Sequence, residues 1–130
     1  MKYLNNAFFG KTILVTGHTG FKGSWLTTWL STLGAKVVGV SEKIPTIPSN
    51  FETLLPDLNI TDLRLDITDR IAIRDVIIAH QPDFVFHLAA QALVRPSYES
   101  PVETFMTNAI GTATVLDGLR SLNKPVVAVM

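Results

Sequence analysis

The chain has 130 residues, 47% hydrophobic and 17% charged, with eleven lysines and arginines balanced by eleven aspartates and glutamates. That length suits one domain, and the neutral balance excludes a basic nucleic-acid surface and an acidic tail. The absence of cysteine excludes thiolate catalysis, cysteine-ligated zinc and a disulfide framework.

The opening MKYLNNAFFGK has no sustained apolar run, and no later stretch approaches the roughly 18 apolar residues of a membrane span, so a cytoplasmic protein with no membrane partner is expected. KTILVT, residues 11–16, reads as a buried parallel strand that ends at a glycine. From Gly20 onward Phe21, Trp25, Leu26, Trp29, Leu30 and Leu33 recur as the single apolar face of a helix, and Gly34 supplies its stop. AKVVGVS, residues 35–41, is a second buried strand, so the chain begins with a βαβ unit. Residues 42–59 hold three prolines and read as an irregular connection with one helical turn around Phe51 to Leu55.

ITDLRLDI, residues 60–67, alternates as an edge strand ending at Asp66. Thr68 or Asp69 caps a helix whose apolar surface is Ile71, Ile73, Val76, Ile77 and Ile78, broken at Gln81-Pro82-Asp83. FVFHLAA, residues 84–90, is the fourth strand, and a loop through Arg95-Pro96 follows it. A long helix over 102–121 is expected to bury Phe105, Ala109, Thr112, Val115, Leu116 and Leu119. PVVAVM, residues 125–130, is a fifth strand. Strands alternating with helices imply an α/β, Rossmann-type doubly wound parallel sheet in the order 3-2-1-4-5, truncated after strand five. Ligands in such sheets lie beyond the carboxyl ends of the strands where the winding reverses, here between strands one and four.

TGHTGFKGS, residues 16–24, opens onto that point. The ATPase loop requires lysine directly after its last glycine, whereas here Lys22 precedes Gly23, one residue too early. A dinucleotide turn needs glycine for the tight bend, for backbone approach to a pyrophosphate and for packing the helix start; Gly17, Gly20 and Gly23 can fill those roles. The helix beginning near Gly20 then offers free N–H groups and its positive dipole end. His18 and Lys22 either reach the phosphate or form a solvated tip.

TGHTGFKGSWL, RLDITD, PDFVFHLAAQALVRPSY and ETFMTNAIGTATVLDGLR together resemble the N-terminal part of the extended short-chain dehydrogenase/reductase superfamily, the NAD-dependent epimerases and dehydratases. The pattern is nearest to the nucleotide-sugar 4,6-dehydratases that act on CDP-glucose. The resemblance covers nearly the whole chain and implies a bound NAD, a nucleotide-sugar substrate with CDP-glucose suspected, and a homodimer. It implies that residues 1–130 are an incomplete dinucleotide-binding domain, because the family's catalytic Tyr-x-x-x-Lys and substrate domain come after strand five. Tyr3 and Tyr98 are followed four residues on by Ala7 and Val102, so no catalytic residue is expected within the chain.

The cofactor contacts implied are Gly17, His18, Thr19, Gly20, Phe21, Lys22 and Gly23 in the turn, Ser41 after strand two, Asp66 and Ile67 after strand three, Leu88, Ala89, Ala90 and Gln91 after strand four, and Asn108. Asp66 matches an adenine-binding carboxylate, with a helix cap as the alternative; Asn108 matches an asparagine that organises the active site, with plain helix surface as the alternative. Arg95 and Tyr98 either touch the nucleotide sugar or belong to a solvated loop. His87, flanked by apolar residues, reads as a hydrogen-bonded core histidine, and with no second histidine at ligand spacing no metal is expected. At the end of strand two the sequence is VSEK: Glu42 suits the ribose hydroxyls of NAD, while Lys43 beside it would tolerate a 2′-phosphate.

Overall fold

A computed structural model describes residues 7–130. Five parallel strands, β1 (Thr12–Thr16), β2 (Lys36–Val40), β3 (Thr61–Leu63), β4 (Phe84–His87) and β5 (Val127–Val129), form one sheet. Their order is β3-β2-β1-β4-β5, the doubly wound order expected. The helices are α1 (Phe21–Thr32), α2 (Asn50–Leu54), α3 (Arg70–His80), α4 (Val94–Glu99), α5 (Pro101–Phe105) and α6 (Gly111–Leu119). A π-helical segment, Met106–Ile110, joins α5 to α6. Among the described residues no helix is long and apolar enough to cross a membrane.

The unbroken apolar run in β1 follows from its place in the middle of the sheet. Leu14 faces a core with Val38, Val40, Ile73, Ile77, Val85 and Val115, whereas Ile13 and Val15 face a second core with Leu30 and Val37. Successive side chains point to opposite faces, so a strand covered on both sides has no polar face. The helix ends follow their local signals: Gly34 has φ +82°, and the Asp69 carboxylate accepts from the N–H groups of Ile71 and Ala72 at the start of α3.

Two helices turn a different face inward from the one their sequence suggests. On α1 the buried residues are Gly23, Ser24, Thr27 and Leu30, while Phe21, Trp25 and Trp29 are exposed. Gly23 rests against the Gly17 carbonyl, where a Cβ would collide, and this contact sets the rotation of the whole helix. The large aromatic residues are thereby left on the outside. In the last helical stretch Phe105, Ala109 and Leu116 are exposed, and Gly111, Thr114, Val115 and Gly118 are buried. The π segment adds a residue to one turn, so a 3.6-residue period counted through it arrives out of phase.

The other differences concern length. β3 is three residues long rather than eight, and β4 ends at His87, so Asp66 and the Leu88–Ala90 stretch lie beyond their strands. The stretch around Arg95-Pro96 is the helix α4 rather than a loop. Both strands stop where they meet the mouth of the crevice described below, and their last residues are released from the ladder to form its walls.

Gly39 in β2 lies beneath the ring of His18, and a Cβ there would enter the ring. Gly39→Ala is therefore expected to destabilise the chain by about 1–3 kcal/mol through overpacking, measured as a lower midpoint in denaturant unfolding.

Candidate functional site: a crevice at the strand ends

The carboxyl ends of the strands and the start of α1 enclose an open crevice of about 230 Å³. Its floor is the glycine turn, where the three glycines have distinct geometries. Gly17 has φ +74°, and a Cβ on it would lie 2.7 Å from the Leu88 carbonyl carbon and the Ala89 nitrogen. Gly23 packs the helix onto the turn. Gly20 faces the crevice, and a Cβ there would meet only the Gly17 carbonyl oxygen, at 3.3 Å. α1 starts directly after it with no side-chain cap and no acidic residue in its first turn. Its first N–H groups and dipole therefore present positive potential to the crevice.

Three further walls rise from the ends of the other strands. After β2, the Thr19 hydroxyl donates to the Lys43 carbonyl at 2.7 Å, and the Thr19 N–H points at Ser41 Oγ at 3.4 Å. This draws Ser41, Glu42 and Lys43 to the edge of the turn, with Ser41 buried and the other two side chains exposed. After β3, Leu65, Asp66 and Ile67 line the crevice. Asp66 Oδ1 accepts from the Thr68 N–H at 2.8 Å, and the cap of α3 is Asp69, so the cap role open to Asp66 is corrected to a local turn with the carboxylate exposed. After β4, Leu88, Ala89 and Ala90 form the wall facing Gly17, joined by Thr107 from the π segment.

Behind that last wall Asn108 and Gln91 bond reciprocally: Gln91 N–H donates to Asn108 Oδ1 at 2.8 Å, and Asn108 Nδ2 donates to the Gln91 carbonyl at 3.0 Å. Asn108 thus holds the rim of the crevice through the backbone of its neighbour. The π segment makes this pairing possible and brings Gly111 against Ile67. A mid-helix asparagine looks unfavourable from propensity alone, but here its amide replaces two backbone partners of an extended strand end.

His18 is neither at a solvated tip nor directed into the crevice. Its ring is wholly buried, with Nε2 2.8 Å from Asp62 Oδ1 and Nδ1 3.0 Å from Ser41 Oγ, and it meets Phe51 edge-on at 5.0 Å between ring centres. It ties the glycine turn to β2, β3 and α2. Burial pushes its pKa down against the opposing pull of Asp62. Phe21 and Lys22 are exposed on the outside of α1 and do not line the crevice. His87 is a hydrogen-bonded core histidine, between Thr16 Oγ1 at 2.7 Å and Thr112 Oγ1 at 2.9 Å, and burial lowers its pKa also.

The crevice therefore gathers Gly17, Thr19, Gly20, Ser41, Asp66, Ile67, Leu88, Ala89 and Ala90 of the expected contacts. Gly23, Gln91 and Asn108 support it from behind. Arg95 and Tyr98 stand outside it on α4, where Arg95 pairs with Glu99 at 2.9 Å and Tyr98 is 82% exposed. Pro45, Leu65 and Thr107 line the crevice without having been singled out. Leu65 was legible as the neighbour of Asp66, but Thr107 is presented by a π turn that no sequence period marks. Tyr3 lies outside the described residues.

The sequence model of the family described as GDP-mannose 4,6 dehydratase matches residues 14–129. The chain belongs to this family. The CDP-glucose 4,6-dehydratase of Salmonella typhimurium is 48% identical over 118 residues, which cover 90% of the chain and 33% of that protein. A probable dTDP-glucose 4,6-dehydratase of Sinorhizobium fredii is 39% identical over 111 residues, 83% of the chain and 31% of that protein. Among solved structures, an epimerase of Methanothermobacter thermautotrophicus superposes with a TM-score of 0.81 at 32% identity, over 92% of this chain and 34% of that one. The UDP-glucose 4-epimerase of Thermus thermophilus in complex with NAD superposes at 0.72 with 29% identity, over 84% of this chain and 33% of that one. The chain spans about a third of the length of the curated relatives it matches.

The two buried imidazoles make stability depend on pH in one direction. Their folded pKa values lie below the unfolded value of 6.5. The unfolded state therefore takes up protons first as pH falls, and the stability present above about 6.5 is lost below it. Denaturant unfolding at pH 8, 6 and 5 should give a falling midpoint, and removal of one imidazole by His18→Gln should flatten the fall while lowering the midpoint at pH 8.

Proposed function

We propose that the chain is the NAD-binding part of a nucleotide-sugar 4,6-dehydratase, acting on CDP-glucose to form CDP-4-keto-6-deoxyglucose for deoxysugar and surface lipopolysaccharide synthesis in the cytoplasm. The observation that carries the reading is Gly20, open to the crevice directly beneath the uncapped start of α1, at the point where the sheet changes winding direction. A pyrophosphate fits there because the backbone N–H groups are free and no Cβ stands in the way. Family membership and the 48% identity to a CDP-glucose 4,6-dehydratase support the substrate class and its nucleotide.

In this reading the turn 17–23 holds the pyrophosphate, with Phe21 and Lys22 contributing backbone rather than side chain and His18 acting from below. Ser41 and Glu42 take the adenosine ribose, and the Glu42 carboxylate favours NAD by repelling a 2′-phosphate. Asp66 and Ile67 receive the adenine, the exposed carboxylate accepting from its amino group. Leu88, Ala89, Ala90 and Gln91, held by Asn108, flank the other half of the cofactor. NAD held by these residues would supply the hydride acceptor at sugar C4 and the hydride donor at C6 that loss of water between C5 and C6 requires. Arg95 and Tyr98 belong to the nucleotide-sugar side of the same assembly, and the full-length enzyme is a homodimer.

The structures of NAD-bound UDP-glucose 4-epimerases favour a second reading, in which the same half serves an epimerase. Both readings share the cofactor crevice. Neither tyrosine has a lysine four residues on, so the 130-residue chain alone is inactive, and turnover of CDP-glucose by it would overturn that claim.

NAD titrated into the chain should bind in calorimetry, with affinity at least about tenfold weaker in Gly20→Ala, equivalent to about 1.4 kcal/mol. Unchanged affinity in a variant that keeps the native circular dichroism would remove the pyrophosphate from the glycine turn.

A further inference from the structure

The hydrogen bonds around His87 determine which of its nitrogens carries the proton. Thr112 Oγ1 lies 2.7 Å from the Asn108 carbonyl, one turn back. A carbonyl only accepts, so the single hydroxyl proton of Thr112 points at it, and Thr112 must accept from His87. Nε2 is then the protonated nitrogen, and Nδ1 accepts from the Thr16 hydroxyl at 2.7 Å. With its proton given to His87, the Thr16 oxygen has two lone pairs left. They accept from the N–H groups of Leu88 at 3.2 Å and Ala89 at 3.3 Å. The Leu88 N–H is shared with the Thr16 carbonyl at 3.0 Å, so it is the Ala89 N–H that depends on Thr16 Oγ1. Every donor and acceptor in the chain of bonds from Asn108 to Ala89 is matched, and only for the neutral ring protonated at Nε2.

Both ends of that chain reach the same crevice wall: Leu88 and Ala89 face Gly17, and Thr107, which joins them in the wall, is the neighbour of Asn108 in the π segment. We propose that His87, in its neutral Nε2–H form, is a positioning residue that locks the strand-four turn and the π segment to the end of β1, and so sets the width of the cofactor crevice. The claim rests on the reading that the crevice takes NAD, but the tautomer does not. Protonation at Nδ1 would place a third donor on the Thr16 oxygen and leave the Thr16 hydroxyl without its acceptor. The lock therefore opens when the ring becomes charged. Burial alone holds the His87 imidazole below its ordinary pKa, with no charged side chain acting on it. The groups that face the ring, Thr16 from β1 and Thr112 from α6, do not titrate in this range.

The test uses the 130-residue chain uniformly labelled with nitrogen-15. At pH 7 the ring of His87 should show a directly bonded proton on Nε2 and an unprotonated Nδ1. A neutral ring protonated at Nδ1, or an imidazolium, overturns the proposal. Thr112→Val removes the acceptor for Nε2–H and keeps the shape; it should shift the amide signals of Leu88, Ala89 and Thr107 together and weaken NAD binding about tenfold or more, while Thr112→Ser restores both. Thr16→Val and Thr16→Ser form an independent pair with the same expected split, in case one valine variant does not fold. Valine variants that fold, keep those amide signals in place and bind NAD as the unsubstituted chain does overturn it. If the unsubstituted chain does not bind NAD, the functional reading fails, and the tautomer and amide signals alone decide whether His87 positions the turn.

Discussion

The close approach of Gly23 to the Gly17 carbonyl is the contact on which the rest of the structure depends. Two backbones meet where no side chain fits, so the first turn of α1 sits directly on the end of β1. That single contact fixes where the helix dipole points, which face of α1 reaches the sheet, and how far the turn lies from the strand beyond it. The same crowding recurs at Gly17 against the Leu88–Ala89 backbone. The crevice is thus bounded by main chain at its narrowest point, as suits a site for a ligand recognised by N–H groups and dipoles rather than by charged side chains.

Around this frame the polar ties are made by two buried histidines with complementary reach. His18 joins the glycine turn to the β2–β3 side through Ser41 and Asp62, and His87 joins β1 to the π segment through Thr16 and Thr112. Each bridges elements distant in the chain, so each fixes a wall that sheet pairing alone would leave loose. Their common state is neutral, because charge in such surroundings lacks the water that would stabilise it. Catalysis as such is not required to explain either ring: both have hydrogen-bond partners on both nitrogens.

Local signals in the sequence were read well where one residue type has one physical use. Gly34 ends α1, Asp69 begins α3, the apolar run in β1 is central, and the strand order follows from alternation with right-handed crossovers. The glycine turn was legible for the same reason, since its spacing admits few alternatives once a strand precedes it and a helix follows. Reading failed where period counts were taken as faces. The aromatic stripe of α1 points outward because the Gly23 contact sets the rotation, and the last helix changes phase because a π turn interrupts it.

By itself the sequence determined the class of fold, the location of the crevice and the chemistry of its floor, because glycine spacing and strand–helix alternation act over a few residues. Only the tertiary structure decided what the polar residues do. Of the two roles open to each, His18 took neither phosphate contact nor a solvated tip but the interior, Asp66 kept an exposed carboxylate at the crevice rather than the helix cap, Asn108 became a clamp on Gln91 rather than plain helix surface, and Thr107 entered the wall with no sequence signal. The partners of His18 lie 23 and 44 residues away and that of Asn108 lies 17 away. Such pairings have no local period to betray them, and they exist only once packing has brought the strand ends together.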